Sequence, residues 1–264
     1  MKRLEINTAK VRKLLVDFIR EYMKKQGFSR LVLGLSGGLD STVCAYLAVE
    51  ALGADSVTGV LLPYKLSDPD NLKDARNVAA ELGIRTRFVD ITPFVDAFER
   101  AFPQMDRVQL GNVMARCRMI VLYQISAEEK ALVMGTSNKS EILLGYGTLH
   151  GDLACAFDPL GDLYKTQIRA LAEALNVPEK IRKKVPSADL WVGQSDEDEL
   201  GLTYAEADRF FVRWIEGNYT REQLLAEGFS ADFIDRITAR VNSQKFKRAL
   251  PPIPEINNRT AETG

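Results

Sequence analysis

The chain has 264 residues, with 35 Lys+Arg against 36 Asp+Glu and a formal net charge of −1, a balance that speaks against nucleic acid as a partner. At 46% hydrophobic and 27% charged residues, it has room for one large α/β domain or two small ones, and disordered, collagen-like and disulfide-stapled classes are excluded. No apolar run is long enough for a membrane span or a signal peptide, so no membrane partner and a cytoplasmic location are expected.

Val11, Leu14, Leu15, Phe18, Ile19, Tyr22 and Met23 recur at helical spacing after Thr8, and Gly27 ends that run. Residues 30–35 read as a short buried strand, 40–52 as a helix and 56–62 as a second strand. Asp68-Pro69 supplies a cap and a first-turn proline for a helix reaching Leu82, with Gly83 behind it. A strand over 85–90, a helix opened by Thr92-Pro93, a long helix over 112–129 and a strand over 131–135 follow. Strands separated by helices predict a doubly wound, mostly parallel sheet with right-handed crossovers. Beyond Gly135 helical signals dominate, over 165–175, 177–184, 204–217, 220–226 and 230–243. Thr203-x-x-Glu206 and Thr220-x-x-Gln223 are capping boxes. Between them, residues 186–202 are polar and acidic, with Trp191 expected to stand exposed, and read as a mobile loop lying over something. Asp196-Glu-Asp-Glu199 is expected to be a solvated helix start rather than a second metal site, and 257–264 a frayed tail. The whole reads as one domain over 1–264, with the core sheet in about 30–165 and a helical part in about 165–256.

Chemistry concentrates at the turns after the first and fourth strands. Gly34-Leu-Ser-Gly-Gly-Leu-Asp-Ser41 joins a strand to a helix, where two glycines let backbone N–H groups approach a phosphate at the positive helix end. A bare glycine pair is equally compatible with a tight turn capped by Ser36 or Asp40. The loop is not a Walker A sequence, and Gly145-x-Gly147 lacks the third glycine of a dinucleotide fingerprint. A carboxylate such as Asp40 beside a polyphosphate calls for a cation between them, and Mg²⁺ takes one or two carboxylates plus phosphate oxygens. Glu141, in Gly135-Thr-Ser-Asn-Lys-Ser-Glu141, follows the fourth strand to the same sheet edge and is the second candidate ligand. Lys165 opens a helix, the wrong end for a cation unless an anion is near. Arg116 and Arg118, two apart, cannot share a helix face. Cys44, Cys117 and Cys155 are isolated, and the single histidine, His150, leaves no zinc site or Cys–His nucleophile. Asn138, Asn218 and Asn258 match glycosylation sequons that need a secretory route, and none is visible.

The loop SGGLDS (36–41) resembles the phosphate-binding loop of the N-type ATP pyrophosphatases, which cleave ATP between its α and β phosphates. Together with GNVMARCRM (111–119), GTSNKSE (135–141), GDLACAFDPLGDLYKTQ (151–167), PSADLWVGQSDEDELG (186–201) and KFKRALPPIP (245–254), it is similar to the ammonia-dependent NAD⁺ synthetases. The resemblance implies a Rossmann-like ATP pyrophosphatase fold and amidation of deamido-NAD⁺ by ammonia through an adenylated nicotinate, releasing AMP and pyrophosphate. By motif position, Gly34, Leu35, Ser36, Gly37, Gly38, Leu39, Asp40 and Ser41 would hold ATP, with Thr136, Lys165 and Ser187 as further contacts. Asp40 and Glu141 would hold Mg²⁺. Arg116 and Lys247, and more weakly His150, Asp152 and Phe246, would face deamido-NAD⁺. No separate general base is assigned.

The chain departs from that pattern on the dinucleotide side, with Leu149 where many members carry lysine, Ala156 where an aspartate is usual and Phe246 where a histidine is usual. The resemblance further implies a homodimer, for which the opening helix and the 112–129 helix are candidate surfaces, and free ammonia or ammonia from a separate chain as nitrogen donor. Two other readings stay open: another ATP pyrophosphatase amidating or thiolating a different acceptor such as an RNA base, and a nucleotide-binding module without turnover.

Overall fold

Apolar residues run without a break through 31–33 because the first strand is covered on both faces. β1 (Leu31–Gly34) turns Leu31 and Leu33 toward Ile19, Leu47 and Ile168, and Val32 toward Val60, Val133, Leu122 and Ile125. It pairs in parallel with β2 (Val57–Leu61) and β4 (Leu132–Val133), and β2 pairs in parallel with β3 (Arg85–Phe88). The order β3-β2-β1-β4 is that of the expected doubly wound α/β sheet. A parallel bridge from Met134 to Phe157 carries pairing one position beyond β4. The architecture comes from a computed structural model that describes residues 4–191 and 193–254. The expected frayed tail and the Asn258 sequon lie outside the described residues.

Local signals set most boundaries. α1 (Thr8–Gln26) is capped by Asn7, whose side chain accepts the Lys10 N–H, and buries Leu15, Val16, Ile19 and Met23. α2 (Leu39–Leu52) follows the glycine-rich turn, α3 (Pro69–Leu82) starts on Asp68-Pro69, and α4 (Thr92–Ala101) on Thr92-Pro93. α5 (Arg107–Glu129) begins five residues before the expected 112, because Asp106 and Gln109 form a capping box. Gly111 sits inside that helix, where an added Cβ would lie 2.9 Å from Leu190 Cδ1. The expected helix over 177–184 contracts to α8 (Glu179–Arg182), with Pro178 at its N-cap. Residues 204–217 divide into α10 (Tyr204–Phe211) and a π-helical turn, Val212–Glu216.

The C-terminal helices form a second core. α10, α11 (Arg221–Ala226) and α12 (Ala231–Ser243) bury Tyr204, Phe210, Phe211, Phe229, Phe233 and Ile237 together with Leu144 and Tyr164. Leu144 ends α6 (Lys139–Leu144) and Tyr164 immediately precedes α7 (Lys165–Ala174). This core therefore grips the two short helices that follow the β4 side of the sheet, and it fixes where their first residues lie.

Candidate active site

Between β1 and β4 the direction of winding reverses, and open α/β sheets bind ligands at the carboxyl ends of such strands. The turn after β1 has Gly37 at φ +78, with an added Cβ 2.2 Å from the Asn71 carbonyl oxygen. Only glycine fits there. Ser36 Oγ accepts the Gly38 N–H at 3.2 Å and lies 3.0 Å from Ser41 Oγ, so the loop's polar groups are pointed inward. Gly37→Ala should cost at least ~2 kcal/mol from the left-handed backbone and the clash, together with loss of ATP binding. Urea unfolding and nucleotide titration of that variant check both effects.

The turn after β4 brings Glu141 to the same place. Asn138 caps α6 by accepting the Glu141 N–H, Glu141 accepts the Asn138 N–H in return, and the Asn138 amide donates to Asp40 Oδ1 at 3.2 Å. Lys165 Nζ then bridges the carboxylates, 2.5 Å from Asp40 Oδ2 and 3.0 Å from Glu141 Oε1. These are the anions that explain a lysine at a helix start. Asp208, fully buried, accepts from Ser140 Oγ and from both the N–H and hydroxyl of Thr166, and so joins α6, α7 and α10 directly behind Lys165.

Electrostatics follow from that burial. Burial opposes the Lys165 charge, but Asp40 and Glu141 outweigh it and raise its pKa. Burial pushes Glu141 up to about 7 despite the pull of Lys165, with Asp40 adding to the rise. Asp158, just beyond the Met134–Phe157 bridge, has a buried Oδ1 without a hydrogen-bond partner, and burial followed by the charge of Glu141 pushes it up to about 8. Carboxyls raised on folding contribute stability that is complete below their unfolded pKa values and is lost as pH rises through about 7 and about 8. Thermal unfolding of the ligand-free protein should therefore fall from about pH 6 to about pH 8.5; a midpoint that climbs over that range would contradict these two assignments.

Two residues of the site were not singled out for it from sequence, Asn138 and Asp208. Asp196 departs from the sequence expectation. It opens α9 (Asp196–Leu200) in the acidic run expected to be solvated, but it is only 4% exposed, with Tyr204 Oη 3.4 Å from Oδ2 and Oδ1 unpartnered. Burial raises its pKa, while the Lys165 charge lowers it. The 186–202 loop thus brings Asp196 to the site, and its backbone closes on itself where Asp196 N–H donates to Pro186 O. Trp191 is half-buried, with the Arg107 guanidinium 5.0 Å from its ring centroid.

The other candidates fall in three places. Thr136 is half-buried between β4 and α6, whereas Ser187 is exposed and its hydroxyl accepts the Asp189 N–H in a local turn. Arg116 is exposed, donates to Leu149 O at 3.3 Å, and lines two clefts of about 650 and 570 Å³, one with Phe98, Phe102 and Asn112, the other with Ile120, Tyr123 and His150. Neither cleft is lined by a residue of the 34–41 loop. Arg118 is half-buried and donates to Leu62 O just past β2, so the two arginines do point apart. Lys247 Nζ donates to Gly145 O at 2.8 Å and Gly147 O at 2.9 Å, Asp152 accepts the Thr148 N–H, and Phe246 is 58% exposed. These residues surround the 145–152 turn, apart from the Lys165 bridge.

A parallel sheet with a glycine-rich turn and a cation-binding carboxylate pair at its switch point belongs to the α/β enzymes that handle nucleotide phosphates. The model of one such family, described as NAD synthase, matches residues 11–251, and the chain belongs to that family. It is 48% identical over 256 residues to the NH(3)-dependent NAD(+) synthetase of Fusobacterium nucleatum, covering 97% of this chain and 99% of that one. Among solved structures it is similar to the NH3-dependent NAD synthetase of Campylobacter jejuni, with a TM-score of 0.79 and 37% identity over 95% of this chain and 100% of that one. It is also similar to the NMN synthetase of Francisella tularensis, with a TM-score of 0.85 and 33% identity over 96% and 100%.

Proposed function

We propose that this chain is a carbon–nitrogen ligase that uses ATP to amidate deamido-NAD⁺ with ammonia, forming NAD⁺, AMP and pyrophosphate. The observation that carries the reading is the convergence of Asp40 and Glu141 on one cation beside the glycine-rich loop, in a chain of this family. In the first step a nicotinate oxygen bonds to the α-phosphorus and the bond to pyrophosphate breaks. In the second, the ammonia nitrogen bonds to the carbonyl carbon, AMP leaves, and the surplus protons pass to solvent.

Both leaving groups are phosphates, so the chain's task is to hold negative charge more than to move a proton. The N–H groups of 36–41 and the start of α2 face the pyrophosphate, with Lys165 as the adjacent cation and Thr136 and Ser187 at the rim. Asp40 and Glu141 fit Mg²⁺, because their oxygens already lie within reach of a single positive centre, Lys165 Nζ. Among the described residues no three His, Cys, Asp or Glu side chains form a metal cluster, so ATP's own oxygens would complete the coordination. Bound there, Mg²⁺ would neutralise charge building on the leaving pyrophosphate. Arg116, exposed between the two clefts, is the proposed contact for the acceptor's phosphates. Lys247 shapes the 145–150 turn that presents His150 and Leu149.

We extend the proposal to a homodimer through α5, which leaves Val108, Ile120 and Tyr123 exposed; α1 also leaves Leu14 and Phe18 exposed, but its other face packs against α2 and α7 of its own subunit. Sedimentation velocity tests this. All three cysteines are free, in keeping with a reducing cytoplasm, and among the described residues no helix is long and apolar enough to cross a membrane.

Product analysis tests the reaction. ATP, Mg²⁺ and deamido-NAD⁺ should give NAD⁺, AMP and pyrophosphate in equal amounts with ammonium and none with glutamine. Nicotinate mononucleotide belongs in a parallel reaction, since one similar structure is an NMN synthetase and Leu149, Ala156 and Phe246 all depart from the family on the dinucleotide side. Amide formation on the mononucleotide alone would overturn the acceptor assignment and leave the adenylation chemistry standing.

A further inference from the structure

Lys184 lies between α8 and Pro186, outside every motif that marks the nucleotide site, yet its ammonium reaches the phosphate loop. Nζ donates to the Gly37 carbonyl at 3.0 Å and to Asn71 Oδ1 at 2.7 Å, and it stands 2.6 Å from Asp74 Oδ2. The side chains are 20% exposed for Lys184 and 5% for Asp74, so this is an enclosed contact and not a surface pair. Lys180 also reaches Asp74, at 2.8 Å. Burial alone would raise the Asp74 carboxyl, but the Lys180 hydrogen bond and the adjacent Lys184 ammonium outweigh it and hold it below its usual value, which keeps the anchor charged.

The consequence for the loop follows from peptide geometry. The Gly37–Gly38 bond is trans, so its carbonyl and N–H point in opposite directions. A cation fastened to the Gly37 carbonyl on the α3 side therefore turns the Gly38 N–H to the interior of the loop, where it meets Ser36 Oγ. Gly38 is the N-cap of α2, and its N–H belongs to the group of donors at that helix start that meet an anion. Two successive glycines give this peptide no side-chain restraint of its own, so its orientation has to be set from outside.

We propose that Lys184 is a positioning residue for the phosphate loop, orienting the Gly37–Gly38 peptide so that the Gly38 N–H faces the bound polyphosphate, with Asn71 and Asp74 holding the lysine in place. The inference rests on the reading of 34–41 as the site of ATP's phosphates. Lys184 touches no phosphate itself, and because it precedes Pro186 by two residues it also ties the start of the 186–202 loop to the phosphate loop.

The test is calorimetric titration of the full-length protein with Mg·ATP and with Mg·pyrophosphate, alongside KM and kcat for ATP and for deamido-NAD⁺. Lys184→Met is compared with Lys184→Arg, and with Lys184→Met combined with Asp74→Asn so that no buried carboxylate is left bare. Lys184→Met and the double variant should both bind ATP and pyrophosphate about tenfold more weakly, the equivalent of losing one charge-assisted hydrogen bond. The KM for deamido-NAD⁺ and the unfolding midpoint of the double variant should stay unchanged, and Lys184→Arg should recover part of the ATP affinity. Binding within about twofold of wild type in both Met-containing variants would overturn the proposal. So would an equal rise in both KM values together with a fall in unfolding midpoint, the mark of a purely structural pair. A wild-type protein that binds neither ATP nor pyrophosphate would instead remove the loop assignment beneath it.

Discussion

Asp40→Ala should lower ATP-dependent amidation by at least about a thousandfold, the scale of several kcal/mol of lost charge stabilisation at the reacting phosphates. The far-ultraviolet circular dichroism should not change. Asp40 sits at the start of α2 with a side chain that is 17% exposed, and the residues buried next along that helix, Val43, Cys44 and Leu47, do not depend on it. The local cost lies in Lys165, which loses its contact at 2.5 Å but keeps Glu141 at 3.0 Å. Destabilisation should therefore stay below the ~3–5 kcal/mol expected when a buried charge is left with no partner. Pyrophosphate exchange into ATP in the presence of deamido-NAD⁺ separates adenylation from the later ammonia step, and its loss locates the defect. An Asp40→Ala protein with near wild-type exchange would remove Asp40 from the metal assignment.

How the site could be read from sequence differs residue by residue. The placement of Asp40 and Glu141 together was legible because each sits in a turn directly after a parallel strand, and such turns share one edge of the sheet. The Lys165 position was legible as an electrostatic misfit, a cation at a helix start, which the structure resolves with two carboxylates. Asn138 carries a local signal of its own: Asn-x-x-Glu is a capping pattern, in which each side chain accepts the other residue's backbone N–H.

Asp196 was not legible. Four consecutive acidic residues after Ser195 have the local signature of a solvated helix start, and Asp198 and Glu199 are exposed as it predicts, while Glu197 is half-buried and accepts the Tyr204 N–H. Asp196 alone of the four is fully buried, with the hydroxyl of Tyr204, itself buried in the second core, close to its carboxylate. That decision is made by packing of α10, not by the acidic run. The same holds for Asp208 and for Lys184, which lies in a Lys-Lys pair indistinguishable from a surface run, with partners at positions 37, 71 and 74 that only the fold brings near. The helix bounds at 107 and 179 moved for local reasons, a capping box and a proline, and neither shift displaces a site residue.

The second core has a role in the chemistry that follows from these contacts. α10 carries Asp208, whose oxygens take the Ser140 hydroxyl on one side and the Thr166 N–H and hydroxyl on the other. Ser140 Oγ in turn accepts the Lys165 N–H at 3.0 Å. The starts of α6 and α7 are thus locked together by one buried carboxylate, and Glu141 and Lys165 are each one residue from that lock. Positioning of the cation bridge is in this way delegated to helices that share no strand with the nucleotide-binding sheet.

Lys165→Met takes the central cation out of that arrangement, and two separate losses should follow. Turnover should fall by about a thousandfold or more, since among the described residues no other ammonium lies beside both carboxylates. Stability should also fall, by ~3–5 kcal/mol at neutral pH, because Asp40 and Glu141 are left as neighbouring buried acids with no counter-charge. Lys165 is only 5% exposed on its side chain, so water cannot replace it without opening the packing against Tyr204, whose ring centroid is 5.3 Å from Nζ. If the two carboxylates form the metal site, Mg²⁺ without ATP should restore part of the lost stability in Lys165→Met. The same addition should leave wild type nearly unchanged, because Lys165 already stands between the two acids. Thermal unfolding of both proteins with and without millimolar Mg²⁺ reads the difference directly. A variant as stable as wild type without Mg²⁺ would show that the bridge does not hold the site together, and equal Mg²⁺ responses in the two proteins would show that Asp40 and Glu141 are not the pair that takes the metal.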